Sequence, residues 1–275
     1  LINSFFCFPK KLLIIQRNGI SIYYGIKTGY NEAFIVDQTK YEGLIEADPN
    51  SSKILKPILR GSDIERYQAN WHGLWLIDTH NGLNSEGGKI PRIDVHAYPA
   101  IKRHLDQFYP VLEKRYDKGC TPYNLRNCAY HEEFAKTKLL WSQMSTSGKF
   151  ALCGPDIMCN QKCFMVTGTH LFYLCAILNS KLVTWLVKKY AVTTGWGLIQ
   201  WDKYIVEDIP IIHLEKTDIS ISKKIEKIVD SILSKLNYDP FYDVSKYQQE
   251  IDGFIFELYG LTSDEQEIIL NTVNE

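Results

Sequence analysis

The chain has 275 residues, of which 45% are hydrophobic, 13% aromatic and 23% charged, with a formal net charge of −1. That composition excludes intrinsic disorder and suits a globular polypeptide with one large core or two small ones. It also excludes an ordinary membrane helix, because no apolar run reaches the roughly 20 residues such a span needs.

Leu12 to Ile15 and the alternation of Ile20, Ile22 and Tyr24 predict strands, and Ala33 to Val36 predicts another after a glycine loop. Ser51 is placed to cap a short helix that ends near Pro57. Trp71 to Ile77 reads as a strand. His80 to Arg92, with Gly82, Gly87, Gly88 and Pro91, reads as a long loop. Ile101, Leu105, Phe108 and Leu112 fall on one stripe and predict a helix over residues 99–116, with Pro110 bending it or breaking it in two. Leu139 to Met144, Phe150 to Cys153 and Cys163 to Thr167 predict strands. Residues 170–189 predict the longest apolar helix, although Asn179, Ser180 and Lys181 interrupt its hydrophobic run. Three amphipathic helices follow near 221–236, 245–259 and 263–273, the last with Asp264 and Glu265 in its first turn, where they suit the helix dipole. The expected fold class is α+β: an irregular, mostly antiparallel sheet body with packed helices over residues 1–212, then a C-terminal helical tail over 213–275.

Two phrases open a family likeness. Gly25 to Phe34 reads Gly-Ile-Lys-Thr-Gly-Tyr-Asn-Glu-Ala-Phe, and Leu59 onward reads Leu-Arg-Gly-Ser-Asp-Ile. Each places glycine beside a cation and small hydrogen-bonding side chains, where backbone can turn sharply and approach a ligand closely. Further on come Tyr98-Pro99-Ala100-Ile101-Lys102-Arg103-His104-Leu105 with Leu112-Glu113-Lys114-Arg115, then Ala176-Ile177-Leu178-Asn179-Ser180-Lys181-Leu182, and then Ile209-Pro210-Ile211. Ile251-Asp252, Phe256 to Thr262 and Glu265 close the series. In this order the phrases resemble the TaqI-like C-terminal specificity domain, the target-recognition part of adenine-N6 DNA methyltransferases and their fused restriction enzymes. The resemblance implies a double-stranded DNA reader that presents a target adenine to a catalytic domain of the same polypeptide. It implies no cofactor in this fragment, with S-adenosylmethionine, and Mg2+ where the parent also cleaves, held elsewhere. It places the protein in a bacterial or archaeal cytoplasm, associated with the nucleoid.

The residues agree that this piece is not itself catalytic. Asp239-Pro240-Phe241-Tyr242 approaches the Asn/Asp-Pro-Pro-aromatic motif of the adenine enzymes but lacks the second proline, and Gly195-Trp196-Gly197 is a lone G-x-G. Pro155-Asp156 is followed by no Glu-x-Lys, and the histidines form no HExxH pair. Seven cysteines at irregular spacing predict reduced thiols. Cys153, Cys159 and Cys163 are spaced too widely for tight zinc pairs and have no matching fourth ligand, so buried thiols are expected there and no metal. Leu1 to Phe8 are apolar without a charged leader or cleavage-site pattern, so no signal peptide is expected. Leu rather than Met at position 1 predicts a piece cut from a longer enzyme.

Charge is unevenly divided. Residues 1–204 carry 25 Lys+Arg against 17 Asp+Glu, a net of +8, whereas residues 205–275 carry 6 against 15, a net of −9. A basic body with an acidic tail suits a phosphate-binding surface and a protein-facing appendage. Candidate DNA contacts fall on loops: Lys27, Thr28, Tyr30 and Asn31, then Arg60 and Ser62, both sets following from the resemblance. Chemistry alone adds Arg66, Arg92, Ser145, Thr146, Ser147, Lys149, Thr193, Thr194, Trp196 and Lys203. The competing reading is an interaction scaffold that docks through apolar side chains of the acidic tail between Ile251 and Ile268, without touching DNA.

Overall fold

The computed structural model describes residues 12–14, 19–85, 88–212 and 219–274. Strands β1 (Leu12–Ile14) and β2 (Ser21–Tyr24) stand where alternation predicts them. The next predicted strand is mostly a helical turn, α1 (Asn31–Phe34), and only β3 (Ile35–Val36) is extended. Ala33 and Phe34 are both fully buried; a turn of helix can bury adjacent side chains together, whereas a strand points them to opposite faces. Asp37 caps α2 (Gln38–Ala47), accepting the Lys40 N–H at 2.8 Å. The turn that follows is a 3-10 helix, Pro49–Ile54, and Asp48 caps it rather than Ser51, whose hydroxyl donates to Asp48 at 3.2 Å.

After β4 (Leu55–Leu59) come β5 (Ile64–Glu65), β6 (Gln68–Ala69) and β7 (Trp75–Ile77). The strand expected from Trp71 starts only at Trp75, because Gly73 turns the chain at φ 73°. The expected loop over 80–92 contains a hairpin, β8 (Leu83–Ser85) and β9 (Gly88–Ile90). Gly88, at φ 119°, opens β9. The stripe from Pro99 does break, into α3 (Pro99–Asp106) and α4 (Tyr109–Lys114). Pro110 sits in the first turn of α4, where a missing N–H costs nothing.

Strands β10 (Lys138–Ser142), β11 (Met144–Ser145), β12 (Phe150–Cys153), β13 (Met158–Cys159) and β14 (Cys163–Thr167) follow. The long apolar helix is in fact two, α5 (Leu171–Leu178) and α6 (Lys181–Tyr190), bent by 61°. Asn179 and Ser180 make the break by spending their side chains on other partners. Asn179 exchanges two hydrogen bonds with the Phe150 backbone, at 2.9 and 2.8 Å, and the Ser180 hydroxyl caps α6 by accepting the Val183 N–H at 3.2 Å. The chain ends with β15 (Ile199–Gln200), α7 (Lys203–Glu207), β16 (Pro210–Ile212), α8 (Ile219–Tyr238), α9 (Ser245–Tyr259) and α10 (Ser263–Asn274).

Two four-stranded sheets organise the body. One has the order β12-β10-β14-β2 and is antiparallel throughout; the other, β13-β4-β7-β3, contains the parallel pair Met158↔Ile58. Side chains alternate along β10, so Leu139 and Trp141 enter one core and Leu140 the other. The first core is closed by α5, α6 and the tail. Ile225, Val229, Ile232, Ile251, Ile255 and Ile269 are all buried in it, so most of the tail's apolar face is occupied by this chain's own body. Cys153, Cys159 and Cys163 are buried free thiols around β12–β14. Among the described residues no single helix is long and apolar enough to cross a membrane.

Candidate nucleic-acid interface

Three loops and one helix converge beside the first core. β11 pairs with β15 at Ser145↔Ile199, bringing the loop after β11 next to the chain between α6 and β15. That chain is a narrow hairpin. Thr193 bridges to Ile199, the Thr194 N–H donates to the Leu198 carbonyl at 2.8 Å, and the Gly197 N–H donates to the Thr194 carbonyl at 3.0 Å. Gly197 closes the turn at φ 73°, leaving Trp196 at the tip, 91% exposed.

The Ser145–Lys149 loop is held just as firmly. The Ser145 hydroxyl donates to the Ser147 carbonyl at 2.6 Å, and the Gly148 N–H donates to the Thr184 hydroxyl of α6 at 3.1 Å. Gly148 lies so close to α5 that a Cβ there would come within 2.3 Å of the Leu178 carbonyl oxygen. Arg66, just after β5, crosses to this loop, with Nε donating to the Gly148 carbonyl and an Nη to the Ser147 hydroxyl, each at 3.3 Å. The result is a groove of about 840 Å³. Arg66, Lys181, Lys188 and Lys189 line it together with Thr146, Ser147, Thr193, Thr194 and Trp196, and no carboxylate among the described residues does.

A buried polar chain lies behind the groove. The Tyr67 hydroxyl donates to Gln248 at 2.6 Å, Gln248 donates to Asp252 at 3.2 Å, and Asp252 accepts the Lys181 N–H at 2.9 Å. Tyr67 and Asp252 are buried, and the second carboxylate oxygen of Asp252 has no hydrogen-bond partner among the described residues. Burial pushes the Asp252 carboxyl above its usual range, opposed by its donors and by the positive charge of Arg66 and Lys181. The tail therefore fixes the start of α6, and with it the lysines that α6 presents.

Six of the sequence-predicted residues meet in this groove: Arg66, Thr146, Ser147, Thr193, Thr194 and Trp196. The others do not line it. Lys27 is paired with Asp117 at 2.7 Å, and the buried Thr28 donates its hydroxyl to Asn31 at 2.6 Å. The Thr28 carbonyl accepts from Arg115, whose guanidinium also reaches the Pro122 and Asn124 carbonyls and lies 4.4 Å from the Phe34 ring centroid. Burial pushes the Arg115 guanidinium down to about 10. Tyr30 packs its ring edge-on toward Phe108. Arg60 and Ser62 both bond Asp63, with the Arg60 backbone N–H and guanidinium at 2.7 and 3.1 Å. Burial tends to raise the Asp63 carboxyl, but the Arg60 hydrogen bonds and charge hold it below its usual value. Lys149 pairs with Glu65 at 2.6 Å and Lys203 with Glu207 at 3.3 Å, while Ser145 is buried beneath its loop and Arg92 is exposed beyond the β8–β9 hairpin.

Sequence reasoning missed Lys181, Lys188 and Lys189. A signal was available: Lys188-Lys189 directly precedes the Thr-Thr-Gly-Trp-Gly hairpin, and Lys181 ends the Asn-Ser-Lys phrase. Among the described residues no cluster of three or more His, Cys, Asp or Glu is placed to hold a metal.

The fold is shared with restriction-modification enzymes of known structure. The type IIL restriction-modification enzyme MmeI, solved in complex with DNA, is similar over 92% of this chain and 35% of its own, with a TM-score of 0.70 and 14% identity. The type IIG restriction endonuclease BpuSI is similar over 91% of this chain and 32% of its own, with a TM-score of 0.52 and 14% identity. At that identity the likeness is one of fold, and this chain spans about a third of either enzyme. No curated protein sequence matches the chain. The family model of the TaqI-like C-terminal specificity domain matches residues 56–211, more than half of the chain, which therefore belongs to that family.

Proposed function

We propose that this chain reads DNA sequence for an adenine-specific DNA methyltransferase or restriction-modification enzyme, with methylation carried out by a separate catalytic domain of the same polypeptide. The observation that carries the reading is the groove: four cations, three of them on α6, beside a row of hydroxyls on rigidly held loops, with no carboxylate among the described lining residues. Lysines on a helix supply phosphate anchoring, and hydroxyls and an arginine on neighbouring loops supply donors and acceptors for base edges. A groove of about 840 Å³ admits part of one strand, so the duplex would lie across it with one backbone against α6. In this reading the chain also presents the target adenine, whose amino group is inaccessible to chemistry while the base is stacked. S-adenosylmethionine, and Mg2+ if the parent cleaves, belong to the parent's other domains, and the setting is the cytoplasm of a bacterium or archaeon. The scaffold reading loses ground because Ile251, Ile255 and Phe256 of the tail are buried against this chain.

The test is a titration of labelled duplex at several salt concentrations. The double variant Lys188→Glu with Lys189→Glu is expected to weaken binding to every sequence more than tenfold and to shrink the salt slope by about two units. Binding as tight as wild type, with the same slope, would refute the reading.

A further inference from the structure

Trp196 is the least explained side chain in the groove. At 91% exposure its indole covers nothing in this chain, while the base of its hairpin is locked to the core: Ile199 and Trp201 are buried, the Trp201 N–H donates to the Gln143 carbonyl at 2.8 Å, and the Trp141 indole donates to the Trp201 carbonyl at 2.8 Å. The turn Thr194-Gly195-Trp196-Gly197 is hydrogen-bonded across its ends, so the ring is carried on a short, braced arm. Gly195 and Gly197 flank it, and a Cβ added at either would touch nothing within 4 Å. Packing does not require Gly195. Lys188, Lys189 and Arg66 line the same groove.

A flat aromatic surface held out among cations matches the chemistry of a nucleotide strand, in which π-faces alternate with phosphates. Tyr238 and Phe241, 93% and 95% exposed, lack that setting: they sit at the α8–α9 turn outside this groove. Resting on the DNA-reading function proposed above, we infer that Trp196 stacks on a nucleobase of the bound duplex, entering the base stack at one step while α6 holds the flanking phosphates. Insertion of this kind unstacks one step and is repaid by the contacts a distorted duplex allows. Trp196 would then be a specificity element that favours easily unstacked pyrimidine–purine steps.

The experiment compares the full chain with Trp196→Phe and Trp196→Ala on a short mixed-sequence duplex, followed by fluorescence anisotropy across a salt series. Trp196→Ala is expected to bind roughly 5- to 100-fold more weakly with an unchanged salt slope, since no charge is removed. Trp196→Phe should retain most of the affinity. The emission of Trp196, taken as wild type minus the phenylalanine variant, should be open to acrylamide in the free protein and shielded once duplex saturates it. Affinity of Trp196→Ala within about twofold of wild type, or an indole that stays open to acrylamide on saturated duplex, would overturn the inference while leaving the DNA-reading function standing. A wild-type chain that binds no duplex would overturn both.

Discussion

Two regions of this molecule carry similar side chains and use them oppositely. The Gly25–Phe34 loop and the Arg60–Asp63 turn hold lysine, arginine, threonine and serine, as does the groove between α6, Arg66 and the Thr193–Leu198 hairpin. In the first region each cation meets an anion or a backbone carbonyl: Lys27 meets Asp117, Arg60 meets Asp63, and Arg115 holds three carbonyls. In the groove Arg66 and Lys188 also reach backbone carbonyls, of Gly148 and Thr272, but among the described lining residues four cations stand with hydroxyls and an exposed indole and no carboxylate. A cation bridged to an acid ties the fold together, whereas a groove whose described lining is net positive leaves a potential for something outside it.

The sharpest way to break this comparison is at Arg115. Arg115→Ala removes a buried donor from three carbonyls and is expected to cost about 3 kcal/mol of stability, read as a lower urea midpoint. The folded fraction should bind duplex as wild type does; a selective loss of DNA affinity at unchanged stability would show that the first region also reads DNA. Next in size is Lys188→Ala, which should weaken all duplexes by about 1–2 kcal/mol with a salt slope smaller by about one unit, leaving the unfolding midpoint alone.

A smaller effect concerns pH. The Asp252 carboxyl is raised by burial, so the fold favours its protonated form. Its contribution is present in full below the unfolded aspartate value of about 3.9 and is lost as pH rises through the raised folded value. Several other carboxyls, Asp63 and Asp117 among them, are lowered and act in the opposite sense, so the wild-type curve alone will not isolate Asp252. The difference in melting temperature between wild type and Asp252→Asn should therefore change above a pH of about 3.9, with the variant gaining on wild type as pH rises. A flat difference would remove Asp252 as a titrating group. The smallest effect is expected for Lys27→Ala, an exposed pair worth about 0–1 kcal/mol, with no change in DNA binding by anisotropy; a clear loss there would return the first loop to the interface.

Much of the sheet body was legible because strands with a core on either side read as short continuous apolar runs: Leu139, Leu140 and Trp141 announce β10, and Cys163 to Thr167 announce β14. Breaks were harder. The run from Leu171 to Val187 is apolar enough to look continuous, and its bend depends on Asn179 reaching Phe150, 29 residues away in sequence. Half of the groove was readable from loop chemistry, since Thr146, Ser147, Thr193, Thr194 and Trp196 are polar or aromatic residues beside glycine. The lysines of α6 were passed over because a helix interior was taken for core, although its solvent-facing side ends in Lys188-Lys189. The pairing of Lys27 with Asp117 and of Lys149 with Glu65 is set by tertiary contact, and no local spacing announces it.

The hydroxyl of Tyr67 meets Gln248 of α9 at 2.6 Å, and Asp252 on the same helix receives the first amide of α6. The tail is thus the bench on which the reading head is mounted. Anyone transplanting this reader into another enzyme should carry α9 and α10 along with it, because a graft ending at Ile212 would expose those polar ends to water and let the α6 lysines drift from register.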